Sequence, residues 1–524
     1  MIFTIKNTII RLLKVSIGLT CIILLTSSFD YEKQANIPTP QTENILPISK
    51  DIHKLRQNID NIINEYNYYN CLSGISIVSL DSNQKLYEKN ADIAMIPASN
   101  MKLVTTAAAY NLLNKDFRWT TSFYKSGQVY DGILQGDLYV KVQGDPTWND
   151  SFKRNIIHLT FKNFADSLKS YGIQHITGNI YVDPGSLNDL KLGFGWEEED
   201  RLHTYSAYPS AIAFNDNSIQ VRITPKKEHA NALVTIYPSN KGLDLINKTV
   251  ITKNKRLQYF DFQTYPTENK LIVGGRIYDK SRTQYRSLSL PIPELYSLQL
   301  FKTNLENQKI KIFGTIDYKH FTETDMVLNQ IEFLFEHNSL PLSTVIYEIN
   351  KNSNNFMANQ VFLTIGDQID NTLQSENIIK QWLIDNNVNV LNLKMFDGSG
   401  LSSYNLCTAN ILTSVLKIMH ESNDYQNYFK SLPISGVDGT LECQFGYNGL
   451  RKKIFAKTGT INGVRSLSGY TYTKDKELVA FSIILNKDNS KLHLSNTIME
   501  KILKQILNFK RDTNLYANNK SLKS

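Results

Sequence analysis

Ser99 and Lys102 stand three residues apart in Ile96-Pro97-Ala98-Ser99-Asn100-Met101-Lys102, where a helix is predicted to begin. Residues at that spacing share a helix face, so a lysine ammonium reaches a serine hydroxyl. A serine attacks an acyl carbon only when a base removes its proton. Lysine is that base only where burial or a second cation lowers its pKa from about 10.4. The pattern alone is unselective, because Ser82, Ser122 and Ser414 also begin Ser-x-x-Lys. Ser82 falls in the polar turn Asp81-Ser82-Asn83-Gln84, Ser122 in a strand-like run, and Ser414 beside Leu412 and Val415 in an apolar helical stretch.

Lys457-Thr458-Gly459 occurs once, on a predicted strand from Ile454 to Thr460, and its glycine admits a close backbone approach. Ser-x-Asn begins at Ser186, Ser353, Ser375 and Ser403. Ser353-Asn354-Asn355 is set apart by its place at a polar corner between two apolar helical segments. Acyl transfer needs a nucleophile, a base, a relay and an anion site, and Ser99, Lys102, Ser353 with Asn355, and Lys457 with Thr458 have the chemistry for each.

These groups need a scaffold, and 524 residues suffice for about three domains. Hydrophobic residues at 41% and charged residues at 20% describe an ordinary globular chain without repeats. The net charge of +8 is spread along the sequence, and the basic residues do not cluster with aromatics, so no nucleic-acid partner is expected. Lys6, Arg11 and Lys14, the apolar run Val15–Leu25 and the small residues after it have the order of an export signal, which predicts work outside the cytoplasm. An uncleaved anchor and lipidation at Cys21 are the alternatives. Residues 1–28 are assigned to the signal and 29–50 to a polar linker. Cys71, Cys407 and Cys443 form no disulfide framework, and no histidine or cysteine pair has metal-ligand spacing, so neither a metal nor another cofactor is expected.

Helical periodicity marks 51–70 and 101–113. Residues 117–290 change to short alternating segments, a predicted β-rich insertion interrupted by a helix near 155–170. Helical spacing returns from Pro293, and strands at 454–460, 467–472 and 478–485 precede an amphipathic helix at 492–509. The expected fold is a multidomain α/β (α+β) protein: an antiparallel sheet between helices, from 51–116 and 291–510, with the insertion between them and a polar tail at 511–524.

With its three motifs in this order, the chain resembles the serine penicillin-binding enzymes. Within them it is similar to the D-alanyl-D-alanine carboxypeptidase/endopeptidase family, the class C low-molecular-mass penicillin-binding proteins, which carry extra domains between the first two motifs. Gly136-Asp137-Leu138-Tyr139, Gly144-Asp145-Pro146-Thr147, Met357-Ala358, Asp397-Gly398-Ser399-Gly400-Leu401 and Gly436-Val437-Asp438-Gly439-Thr440-Leu441 match as well. Asn359 departs from the acid common in relatives.

The resemblance implies a β-lactamase-like transpeptidase domain and attack by Ser99 on the carbonyl between two terminal D-alanines. Lys102 would be the base and Ser353 the relay. Asn355 would hold Lys102 and the substrate, Lys457 would keep Lys102 neutral, Thr458, Gly459 and Thr460 would bind the substrate's carboxylate end, and the N–H groups of Ser99 and Thr460 would form the oxyanion hole. It also implies peptidoglycan peptides ending in D-Ala-D-Ala and β-lactam antibiotics as partners. Two alternatives stay open: a β-lactamase, and a non-hydrolytic β-lactam or cell-wall binding protein. No Glu-x-x-Leu-Asn lies between Ser353 and Lys457. The nearest string, Asp325-Met326-Val327-Leu328-Asn329, precedes Ser353.

Overall fold

The computed structural model describes residues 49–66, 71–188, 193–226, 229–238, 242–265, 269–290, 292–370, 374–447, 449–487 and 493–511. The predicted export signal, most of the linker and most of the polar tail lie outside them. Among the described residues no helix is long and apolar enough to cross a membrane.

The sheet that carries Lys457 has five antiparallel strands in the order Ile454–Ile461, Val464–Tyr472, Leu478–Lys487, Cys71–Ser79, Lys85–Lys89. Strand side chains alternate between faces. Ile75, Ile77, Val479, Phe481, Ile483 and Leu485 join Ile52, Leu55 and Ile59 of helix Lys50–Tyr66 and Ile498, Ile502 and Ile506 of helix His493–Asn508 in one core. The opposite face, with Tyr470, Ala480 and Ile484, belongs to the core that contains helices Met101–Leu112 and Ala409–Glu421. Helix Met101–Leu112 is buried from Met101 to Tyr110, on every face, and so holds Lys102 away from water.

The β-rich character predicted for 117–290 is present, with helix Ile156–Ser170 inside it. One of its sheets extends past that range. Strand Thr120–Lys125 pairs with Glu332–Asn338, and Ile180–Asp183 pairs with Ile316–Tyr318. Helix Pro293–Asn307 contributes Phe301 to an aromatic cluster with Phe123, Trp148, Phe161 and Phe164. Two three-stranded sheets follow: Leu233–Tyr237, Ser218–Thr224, Gln284–Ser289, and Asp244–Thr252, Lys270–Tyr278, Tyr259–Tyr265.

Phe481 is fully buried between the central sheet and the terminal helices. Phe481→Ala is expected to cost about 3–5 kcal/mol in a denaturant titration. A loss below about 1 kcal/mol would show that this layer does not hold the sheet.

Candidate active site

Ser99 sits in a single 3₁₀ turn, Ala98–Asn100, that runs directly into helix Met101–Leu112. Ala98 takes a left-handed φ of 47°, a region sparsely populated by residues with a Cβ. Three contacts hold that turn. Ser466 Oγ donates to Pro97 O at 2.6 Å. The buried Asn100 amide spans the two sheet strands beside it, with its nitrogen donating to Lys457 O at 2.8 Å and its oxygen accepting from Ser468 N at 3.2 Å. Gly400, at φ 80°, packs so closely that a Cβ there would lie 1.9 Å from Ala98 O. Gly459 also meets the turn, since a Cβ on it would approach Pro97 O at 2.8 Å and Ser99 N at 3.1 Å. The close neighbour admitted by this glycine is therefore the chain's own turn that carries Ser99.

Lys102 is fully buried, with its Nζ 2.9 Å from Ser99 Oγ, 2.6 Å from Asn355 Oδ1 and 2.7 Å from Ser399 O. Burial lowers its pKa to about 7, against the opposing field of Asp397. Lys457 is equally buried. Its Nζ donates to Ser353 Oγ at 2.9 Å and to Thr458 O at 2.9 Å, and burial followed by the charge of Lys102 holds its pKa well below the usual lysine range.

The Ser353 corner forms because two helices meet with two residues, Ser353 and Asn354, between them. Helix Leu342–Asn352 ends with Ser353 in the left-handed conformation at φ 59°. Asn354 caps the next helix, Asn355–Ile369, by accepting from Met357 N at 2.8 Å. Asn355 then begins that helix with its oxygen on Lys102 and its nitrogen donating to Tyr205 O at 2.9 Å. Lys351 ties the corner to the following loop through Asp438, 3.0 Å away, and through Leu432 O.

Thr458 Oγ1 lies 2.7 Å from Thr440 Oγ1. Thr458, Gly459 and Thr460 line a cavity of about 170 Å³ together with Gln444, Arg465 and Met499. Ser99, Lys102 and Asn355 are thus joined by direct contacts, as are Ser353 and Lys457, while Thr458 and Thr460 stand along the strand beyond Lys457. The other Ser-x-x-Lys serines stay in a turn, a strand and a helix, as their surroundings suggested. Among the described residues the one hydrogen bond of Ser403 Oγ goes to Gly195 O, at 3.3 Å. The Asp325 carboxylate closes a capping box with Thr322 on an exposed six-residue helix, so Asp325–Asn329 is a helix start. Both amide atoms of Asn359 are buried without a hydrogen-bond partner among the described residues.

Several positioning groups escaped the reading of the sequence. Asp397 is buried and accepts from Gly400 N at 2.6 Å, Ser402 N at 2.7 Å, Trp196 Nε1 at 2.8 Å and Asn405 Nδ2 at 3.0 Å. This cage fixes the loop whose Ser399 carbonyl meets Lys102. Asp216 is the centre of a run, Asn215–Asp216–Asn217, with all three residues at positive φ. Its carboxylate accepts from Asn354 Nδ2 at 2.7 Å and from Asn149 Nδ2 at 2.8 Å, and burial raises its pKa to about 6 against those bonds. Asp216, Tyr205, Gln220, Tyr237 and Ser287 line a cleft of about 490 Å³ together with Ser353 and Asn355. The β-rich insertion therefore supplies walls and positioning bonds to the site.

A serine hydroxyl on a buried lysine, with a second serine on a second buried lysine, defines a serine-type acyl-transfer hydrolase. The chain belongs to the D-Ala-D-Ala carboxypeptidase 3 (S13) family, whose model matches residues 55–506, and it is a serine-type D-Ala-D-Ala carboxypeptidase. It is 23% identical over 420 residues to the D-alanyl-D-alanine carboxypeptidase DacB of Haemophilus influenzae, covering 79% of this chain and 85% of that one. It is 27% identical over 448 residues to the D-alanyl-D-alanine carboxypeptidase of an Actinomadura species, covering 83% and 81%. The crystal structure of penicillin binding protein 4 from Haemophilus influenzae shares the fold, with a TM-score of 0.72 at 21% identity over 85% of this chain and 98% of that one.

Asp216→Asn sets a donor against one of the two amides that Asp216 now accepts from, Asn354 or Asn149, and is expected to lower kcat about tenfold or more with little change in KM. The exchanged pair Asp216→Asn with Asn354→Asp restores one donor and one acceptor and should recover most of kcat. Failure of the exchange to recover activity in a folded protein would remove Asp216 from the positioning of the Ser353 corner.

Proposed function

We propose that Ser99 is the acylated nucleophile and that Lys102, in its neutral form, is its general base. The observation that carries this reading is the set of three partners on Lys102 Nζ. A neutral amine has two N–H donors and one lone pair. Asn355 Oδ1 and Ser399 O are acceptors and take both donors, which leaves the lone pair for the Ser99 hydroxyl.

Ser99 Oγ attacks the carbonyl joining two terminal D-alanines, and its proton passes to Lys102. The N–H groups of Ser99 and Thr460 receive the developing oxyanion. The C–N bond breaks as Ser353 relays a proton to the departing D-alanine amine. Water then hydrolyses the ester and regenerates Ser99. Lys457, Thr458 and Thr460 receive the substrate's terminal carboxylate, and Gly459 lets the strand lie against the nucleophile turn.

Cleavage of a D-alanyl cross-link requires the same attack, so endopeptidase action on peptidoglycan belongs to the same site. β-Lactams acylate Ser99 covalently. Basic residues followed by an apolar run near the N-terminus support action in the cell envelope, outside the cytoplasm.

Fluorescent penicillin followed by peptide mass mapping should find one adduct, on Ser99. An adduct on Ser82, Ser122 or Ser414 would overturn the assignment. Lys102→Ala should retain cooperative melting and lose about 100-fold or more in acylation rate. Because the base acts deprotonated, the wild-type acylation rate should rise as pH increases through about 7 and level off above it. A rate that falls over that window would assign the base role to another group.

A further inference from the structure

Strand Ser218–Thr224 buries Ile219, Val221 and Ile223 and presents Gln220, Arg222 and Thr224 on its other face. Its neighbours place Tyr237 beside Gln220 and Tyr285 beside Arg222. Both rings are about half exposed, at 47% and 52%. The Arg222 guanidinium lies 5.1 Å from the Tyr237 ring centre and 6.0 Å from that of Tyr285. Among the described residues its one hydrogen bond runs from Nε to Gln220 Oε1, at 3.1 Å, which leaves its terminal N–H groups for a ligand. The inward-facing aliphatic residues already supply this sheet's core, so the fold itself does not call for the outward arrangement. Gln220, Tyr237 and Ser287 of the same sheet line the cleft that reaches Ser353 and Asn355, so the platform continues that cleft away from the nucleophile.

We propose that Arg222, Tyr237 and Tyr285 form a distal subsite for the part of the peptidoglycan acyl donor remote from its D-Ala-D-Ala end. Arg222 takes a carboxylate of the stem peptide, and the tyrosine faces take the ring of the attached sugar. The identity of the donor rests on the function proposed above. A planar guanidinium pairs with a carboxylate through two parallel hydrogen bonds, and one already held between rings loses little freedom on binding.

The test uses the full chain with Arg222→Gln and Tyr285→Ser variants. The substrates are a disaccharide-pentapeptide, the same molecule with its stem carboxylate amidated, the sugar-free pentapeptide, and a short blocked peptide ending in D-Ala-D-Ala. Arg222→Gln should raise KM about tenfold for the disaccharide-pentapeptide and the sugar-free pentapeptide, whose stem carboxylate is free, and leave it at the wild-type value for the substrate with that carboxylate amidated. Tyr285→Ser should raise KM for the disaccharide-linked substrates alone. Both variants should match wild type on the short peptide. Wild-type KM on every substrate, or equal losses that include the short peptide, would overturn the subsite. Calorimetry of the disaccharide-pentapeptide on Ser99→Ala protein, with and without Arg222→Gln, reads the subsite independently of turnover. Failure of the wild-type protein to release D-alanine would count against the proposed function, whereas equal affinities in calorimetry would count against the subsite.

Discussion

Two lysine side chains buried beside two serine hydroxyls are the constraint on which the site depends. Removing an ammonium from water is costly enough that such a group loses its proton in preference to keeping its charge. Lys102 lies on a helix buried all round, Lys457 lies on a sheet strand, and a charge on Lys102 further depresses Lys457. Each Nζ still needs partners, and the chain supplies Asn355 and Ser399 from distant segments for Lys102, and the distant Ser353 with the adjacent Thr458 carbonyl for Lys457. Burial thus pushes two ordinarily cationic groups toward their neutral forms, and the surrounding lattice of hydrogen bonds keeps them in reach of the hydroxyls.

That lattice is larger than the three motifs. The Asp397 cage holds the Ser399 carbonyl, and Trp196 reaches the cage from the inserted region. Asp216 holds the cap of the helix that carries Asn355, and the Tyr205 carbonyl steadies the Asn355 amide. The three motifs all lie outside the β-rich insertion predicted at 117–290. Its side chains and backbone also bond directly to the residues that orient those motifs. A cleft lined from both regions follows, with Ser353 in its wall.

Much of this was legible in the residues. Ser99 and Lys102 lie within one helical turn, so their contact is local, and Lys457 is marked by a string that occurs once. Ser353 could be separated from its rivals because the polar corner between two apolar helices is itself a local pattern. The strands around Lys457 and the terminal helix read clearly from their periodicity. What stayed hidden was long-range. Nothing near Asp216 announces Asn354, 138 positions away, and an acid among polar residues reads as a turn. The edge strand Glu332–Asn338 likewise shows no sign of pairing with Thr120–Lys125. Its pattern is weak because most of its side chains are exposed or half-buried. Asp397 stood in a string already singled out, yet its role depends on backbone N–H groups, which every residue carries.

Burial brings the pKa of Lys102 down to about 7, so a large share of it is neutral at physiological pH. Carbon-13 labelling of the lysine side chains, with the Lys102 resonance assigned by its loss in Lys102→Arg, reads that protonation directly by NMR titration. A midpoint near 7 is the result this account requires. A midpoint near the ordinary lysine value of about 10.4 would mean that Lys102 is a buried cation at neutral pH, and the base for Ser99 would have to be sought elsewhere.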